Sequence, residues 1–455
     1  LNSRTEEKIL LLNAPWSAGA RTGVRAGSRW PFTLEPISGA GYLPFPFFLA
    51  YATALLKENG HGAMLLDALA EGIDRDALYE RIRSQAFSLI VIETSTPSFA
   101  NDLEIAVEIH RRLPQARIAF CGPHASVFAT QILQEHDFVS FVLQGEYEFT
   151  LLELASALEK GDSLSAIAGL AFREEGTIRR NSRRNTIQDL DILPWPERQD
   201  VPIYRYNDGF AGMPVPNVQM WSSRGCPYRC LYCLWPQTMY AEHRHRKRQP
   251  AKVIDEMEYL LKKYAFKAVY FDDDIFNADR KHVIGICNQI KKRGIEVAWA
   301  AMARAELMDE GLLRLMRSSG LYAVKYGIES ANKHVLSRCR KGANLKKARR
   351  MVKVSKDLGI KVHLTFCLGL PGESIESVEE TAAFCREVKP DSLQCSLAVP
   401  FPGTEFFNLM RSAKQIVSER WDDYDGNRCC VHKTEKLEPG QLEELWRAFS
   451  DNCNV

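Results

Sequence analysis

Residues 224–233 read Arg224-Gly225-Cys226-Pro227-Tyr228-Arg229-Cys230-Leu231-Tyr232-Cys233, three cysteines within eight positions. The segment follows a strand-like run at 218–222, so it falls in the loop at that strand's carboxyl end. Thiolates spaced this closely, on a loop opened by Gly and Pro, can converge on one soft metal centre. Chance clustering of buried cysteines fits poorly, because the flanks are polar and aromatic rather than a core strand. Structural zinc needs a fourth ligand, which His243 or His245 would supply. A redox dithiol uses two cysteines and leaves the third unexplained. Three thiolates on a four-iron cube leave one iron open, as substrate chemistry requires, and this reading is preferred.

Outward from this loop, strand-like runs recur at 218–222, 268–271, 297–301, 323–327, 362–368 and 392–399. Helical patterns fall between them at 253–263, 281–293, 311–318, 346–358 and 377–387. Six β/α units are too few for an eight-stranded barrel, so a partial barrel is predicted, with its chemistry at the carboxyl ends of the strands. Residues 8–158 alternate in the same way. Strands are expected at 9–13, 63–66, 88–93, 117–121 and 138–143, and helices at 47–59, 74–84, 101–112, 127–134 and 149–160. That alternation predicts a Rossmann-like, doubly wound parallel sheet. A hairpin around Glu174-Glu175-Gly176 and a proline-rich stretch fill the interval to 217. The expected domains are 1–160, a hairpin and linker at 161–217, an α/β partial barrel at 218–405, and a C-terminal extension at 406–455.

Composition narrows the class. Lys and Arg number 59 against 57 Asp and Glu, a net charge of +2, which imposes neither nucleic acid nor an anionic membrane as a partner. The most apolar stretch, 42–56, contains Pro44 and Pro46 and is shorter than the ~20 residues of a bilayer span, so no integral membrane segment is expected. A charged run at 4–8 leads straight into a strand, unlike a signal peptide. Of twelve cysteines most stand singly in apolar runs, as reduced cytoplasmic thiols do, rather than as a disulfide framework.

C-x3-C-x2-C in a partial β/α barrel resembles the radical S-adenosylmethionine (SAM) superfamily. The resemblance implies a [4Fe–4S] cluster on Cys226, Cys230 and Cys233 whose open iron chelates SAM, and an external one-electron donor such as flavodoxin or ferredoxin. Tyr232 matches an aromatic that packs near the adenine. Asp272-Asp273-Asp274 ends the second strand, where the family receives the SAM amino group; a solvated acidic turn is the alternative. Arg304 would fork onto the SAM carboxylate or the substrate, or form a surface ion pair. Glu329 and Ser330, in a Gly-x-Glu-Ser similar to the family's, would meet the ribose or methionyl end. In Phe366-Cys367-Leu368-Gly369-Leu370-Pro371-Gly372-Glu373, the glycines admit a flat ring. There Phe366, Gly369, Pro371 and Glu373 are further SAM candidates, although Glu373 also suits a helix start.

An open α/β domain ahead of such a barrel is similar to the cobalamin-binding subclass. Supporting pieces are 25–30, 42–46, the Ser95-Thr96 loop, Gly122-Pro123-His124 and Gly145-Glu146-Tyr147-Glu148. They make Ser95, Thr96, Gly122, Pro123, Gly145 and Glu146 the cobalamin candidates. Asp67-Ala68-Leu69-Ala70-Glu71-Gly72 departs from the mutase pattern, carrying leucine where a cobalt-ligating histidine would stand. The activity implied is methylation of an unactivated carbon or phosphorus centre of a small molecule. Rivals are cyclisation or rearrangement, aminocarboxypropyl transfer to a soft nucleophile, and a non-catalytic zinc or iron–sulfur module. Cys429-Cys430 are either a soft-atom site or two ordinary thiols. His243, His245 and the basic 244–248 stretch line the entrance of an anionic substrate or form a solvated helix start.

Overall fold

The computed structural model describes residues 8–18, 21–23, 32–33 and 42–453. The 25–30 segment invoked for the cobalamin resemblance lies outside the described residues. The N-terminal sheet has five parallel strands: β1 (Lys8–Asn13), β2 (Gly62–Asp67), β3 (Phe87–Glu93), β4 (Arg117–Cys121) and β5 (Val139–Leu143). Leu10, Leu11 and Leu12 of β1 are buried on consecutive positions, as a sheet covered by helices on both faces requires. The hairpin forms as β6 (Leu170–Glu174) and β7 (Thr177–Arg180). It does not stand apart as a connector, because β6 pairs antiparallel with β5 and the spatial order is β7-β6-β5-β4-β3-β1-β2. The order of parallel strands reverses between β1 and β3. In open α/β sheets the crevice at such a switch point receives the ligand.

Two helices begin earlier than the apolar periodicity suggests, at Phe99 and Pro123. Pro123 occupies the first helical turn, where a missing N–H leaves nothing unsatisfied. Gly122-Pro123-His124 is therefore a helix start rather than an open loop.

The second sheet comprises β8 (Asn217–Met220), β11 (Ala268–Phe271), β12 (Ala298–Ala303), β13 (Leu321–Glu329), β14 (Lys361–Leu368) and β15 (Ser392–Leu397). All six are parallel and in sequential order. Between β8 and β11 lies a small antiparallel ribbon, β9 (Ser223–Arg224) with β10 (Arg246–Lys247). Side chains alternate as a strand dictates: Val324 and Tyr326 of β13 enter the core, while Lys325, Gly327 and Glu329 line the barrel's cavity. Phe210 and Met213 of the linker plug the amino-terminal mouth, packing on Tyr270, Ala300 and Ala323. The C-terminal extension straps both domains. Gly426 O accepts from Leu397 N at 2.8 Å, and Trp421 packs beside the His124 and Phe128 rings, with centroids 5.7 and 5.6 Å apart. No helix among the described residues is long and apolar enough to cross a membrane.

Candidate active site

The cysteine loop leaves β9 through Gly225. Its φ is 85°, and a Cβ added there would lie 2.1 Å from Arg244 O, which excludes any other residue. Asp274 Oδ2 accepts from Gly225 N at 2.7 Å and from the Tyr240 hydroxyl at 3.0 Å. Gln237 Nε2 then pins the loop's far end, donating to Leu231 O at 3.1 Å and Cys233 O at 2.7 Å. Cys226, Cys230 and Cys233 all line one cavity of about 1450 Å³ in the barrel.

The donor set fits an iron–sulfur cube. Burial pushes the Cys226 thiol up to about 11 and Cys233 well above its usual range, so these sulfurs ionise when a metal cation replaces the proton. Among the described residues no three His, Cys, Asp or Glu side chains converge as the ligands of a single ion would; a cube spaces its thiolates more widely. His243, one proposed fourth zinc ligand, instead has Nδ1 2.7 Å from Tyr228 O. His245 packs edge-on to His282.

Tyr232, Asp274, Arg304, Glu329 and Phe366 line the same cavity. Arg304 is already engaged: it pairs with Glu306, lies 3.7 Å over the Tyr228 ring, and donates to Lys341 O at 2.6 Å. Glu329 holds a left-handed φ of 66° and accepts from Lys341 Nζ at 2.9 Å. Burial alone would lower the Lys341 ammonium, but Glu329 beside it holds the group above its ordinary value.

Several expected SAM contacts lie elsewhere. Asp273 turns away from the cavity into the core. Its carboxylate accepts from Ser222 N (2.7 Å), Ser222 Oγ (2.5 Å), Ser223 Oγ (2.9 Å) and Ser223 N (3.3 Å). Successive strand-end residues point oppositely, so only Asp272 and Asp274 of the triplet can face ligand space. Ser330 is buried against Thr381 and caps Asn332 N. Glu373 is likewise buried, accepting from Gly369 N at 3.2 Å and Ser377 Oγ at 2.7 Å. Gly369 does admit a flat ring, but it is that of His432, whose Nε2 sits 2.7 Å from Gly369 O. Pro371 is buried in the same turn and does not line the cavity. These residues close the barrel rim against the C-terminal extension.

Desolvation raises Asp273 to about 7 despite its four donors. A carboxyl whose folded value lies above its unfolded one loses stabilisation as pH rises between them, here from about 4 to about 7. Asp273→Asn removes that titration, so its unfolding free energy relative to the parent should rise across this window. Asp273→Ala strands two buried N–H groups at about 1–3 kcal/mol each. Denaturant unfolding at pH 5 and pH 7.5 checks both.

A second cavity, of about 680 Å³, opens at the switch point between the domains. Asn13 ends β1 and Glu93 ends β3 there, with Leu69 and Phe45 beside them and Trp221 opposite. Trp235 and Asp274 line both cavities. Leu69, at the position of a mutase histidine, gives an apolar floor without an imidazole. The lining mixes these apolar and aromatic side chains with the amide of Asn13 and the carboxylates of Glu93, Asp272 and Asp274. Of the six cobalamin candidates, none lines the cavity among the described residues. Thr96 Oγ1 faces His124 Nδ1 at 3.3 Å, and Ser95 caps its own turn through Ser98. Gly122 and Gly145 hold φ of 96° and 70°, and a Cβ at either would also strike Thr94 O or Met239 O. Glu146 is buried in ion pairs with Arg224 and Arg246.

The thiols of Cys429 and Cys430 donate to Asp423 O at 3.3 Å and His432 O at 3.0 Å. Each thiol faces a backbone carbonyl of its own. Sequence reasoning overlooked Lys325, Lys341 and Trp235. For Lys325 a signal existed: a lone lysine inside Ala323-Val324-Lys325-Tyr326-Gly327. It is held by Asp208 at 2.8 Å on the cavity floor.

A cysteine-lined cavity at the carboxyl end of a six-stranded partial barrel, behind an open α/β domain, defines a class of enzyme. The pattern of the radical SAM superfamily matches residues 222–385. Over 381 residues the chain is 30% identical to the uncharacterized methyltransferase PH0819 of Pyrococcus horikoshii, covering 83% of this chain and 81% of that one. It is 28% identical over 430 residues to the anaerobic magnesium-protoporphyrin IX monomethyl ester cyclase of Rubrivivax gelatinosus, covering 90% and 71%. In fold it resembles the methyltransferase TsrM of Kitasatospora setae, solved with cobalamin and a [4Fe–4S] cluster, at TM-score 0.72 and 19% identity over 97% of this chain and 91% of that one. The chain belongs to the radical SAM superfamily and is an enzyme whose cofactors include a [4Fe–4S] cluster and SAM.

Proposed function

We propose that the protein holds its cluster on Cys226, Cys230 and Cys233 and methylates an unactivated carbon, or phosphorus, of a small molecule with the help of cobalamin. The observation that carries this reading is the pair of cavities sharing Trp235 and Asp274 as common wall. Bound there, the cluster with SAM would supply a 5′-deoxyadenosyl radical and the corrin a methyl carrier. The chain's own part is to place and shield. Tyr232 flanks the cysteines; Arg304 and Lys341 offer cations to the SAM carboxylate, and Glu329 and Asp274 offer anions to its ammonium. Phe210 and Met213 seal the barrel floor against water. Electrons come from an external one-electron donor such as flavodoxin or ferredoxin, in the cytoplasm, where lone thiols stay reduced.

The test is anaerobic reconstitution with iron, sulfide and hydroxocobalamin, followed by SAM and a reductant. Corrin retained through gel filtration, with 5′-deoxyadenosine and S-adenosylhomocysteine both formed, is expected. Full turnover by corrin-free protein would overturn the methyl-transfer reading. The likeness to the cyclase over 90% of the chain favours one second reading, ring closure. In that case 5′-deoxyadenosine accumulates without S-adenosylhomocysteine.

A further inference from the structure

We infer that Glu146 and Glu148 of the N-terminal domain are positioning residues for the cysteine loop, acting through Arg224 to fix where Cys226 stands. The inference rests on the reading that the cluster sits on Cys226, Cys230 and Cys233.

Arg224 lies two residues before Cys226 and is 2% exposed. Its Nη1 is 2.7 Å from Glu148 Oε1 and 3.2 Å from Glu146 Oε1. The guanidinium lies 4.8–5.1 Å from the Phe48, Tyr51 and Trp221 rings, an aromatic box that keeps water out. The other oxygen of Glu146 accepts from Arg246 Nη1 at 2.7 Å and Ile187 N at 2.9 Å. Arg246 is the register partner of Arg224 across the β9–β10 ribbon. Both strands of the ribbon that launches the cysteines are thus fastened to one three-residue span of the neighbouring domain. Removing either charge strands its partner in a dry interior, and that cost ties the span to the loop. Phe48 and Trp221 also line the interdomain cavity, whereas Glu146 and Glu148 do not. The two carboxylates thus bear on the ribbon that launches the cysteines and do not line the interdomain cavity.

The test uses the full chain, reconstituted without oxygen, as wild type, Glu146→Gln, Glu148→Gln and Arg224→Lys. Three readouts are taken: iron per chain, the electron paramagnetic resonance spectrum of the reduced cluster with and without SAM, and hydroxocobalamin retained through gel filtration. Glu148→Gln and Glu146→Gln should lower iron content at least twofold, or leave a cluster whose spectrum no longer shifts with SAM. Hydroxocobalamin retention should stay within twofold of wild type. Arg224→Lys, which keeps the charge but has a different reach from the Nη1 that meets both carboxylates, should fall between. Wild-type iron together with a wild-type SAM-induced shift in both glutamate variants overturns the inference. So does a Glu146→Gln protein that sheds hydroxocobalamin while its spectrum is unchanged. If Glu148→Gln does not fold, Glu146→Gln and Arg224→Lys, which leave Glu148 facing a cation, decide alone. A wild type without iron would instead sink the cluster reading before any variant is compared.

Discussion

Alanine at Cys226, Cys230 or Cys233 takes the anaerobically prepared protein from about four irons per chain to near none. 5′-Deoxyadenosine formation falls to background in the same variants. A cube deprived of one of three thiolates keeps two, and the further thiol that lines the cavity, Cys367, stands on β14 rather than on the loop. The fold itself should survive. The loop is held by Asp274, Gln237 and the ribbon, not by the sulfurs, so the cost in unfolding free energy stays within about 1–2 kcal/mol. Cys429→Ala and Cys430→Ala are the contrast. Their sulfurs face backbone carbonyls, and both variants should keep full iron content. Iron retained by Cys226→Ala together with product formation would remove the basis of the mechanism.

The second large effect is expected at Lys341. Its ammonium and the Glu329 carboxylate form a pair with side chains 8% and 15% exposed, and Arg304 donates to the lysine's own carbonyl. Lys341→Met leaves the carboxylate desolvated without a counter-ion, which costs about 3–5 kcal/mol when such a pair is broken. That loss is read as a lower unfolding free energy. A separate effect is weaker SAM binding, on the order of 30–100-fold, because the cavity loses a cation facing a carboxylate ligand. Lys341→Arg keeps the charge and should recover most of the affinity. Equilibrium dialysis of SAM against the reconstituted variants checks this. Binding within threefold of wild type in Lys341→Met would remove Lys341 from the SAM site.

Much of the architecture was legible because local pattern dictates it. Consecutive apolar residues in β1 and β3 can only be buried on both faces, and the strand–helix rhythm of 218–399 allows few arrangements besides a partial barrel. The three cysteines were equally plain, since their spacing is itself the site. Within the strand-end motifs the sequence was a poorer guide. Asp273 and Ser330 sit beside cavity residues in the chain, and Glu373 follows a strand whose end lines the cavity, yet each turns inward to satisfy buried backbone and hydroxyl groups. Neighbouring positions on a strand point to opposite sides, and a motif does not say which side is ligand space.

The sequence by itself determined the chemistry on offer: which thiols stand together, how many β/α units carry them, and that Leu69 supplies no imidazole. Only the tertiary structure decided what each polar group is for. It brought Lys341 to Glu329 and fastened Arg224 to Glu146 and Glu148, pairs separated by up to 78 positions in the chain. The reason is physical. An ion taken out of water must find its partner wherever the fold supplies one, and that choice is made in space rather than along the chain.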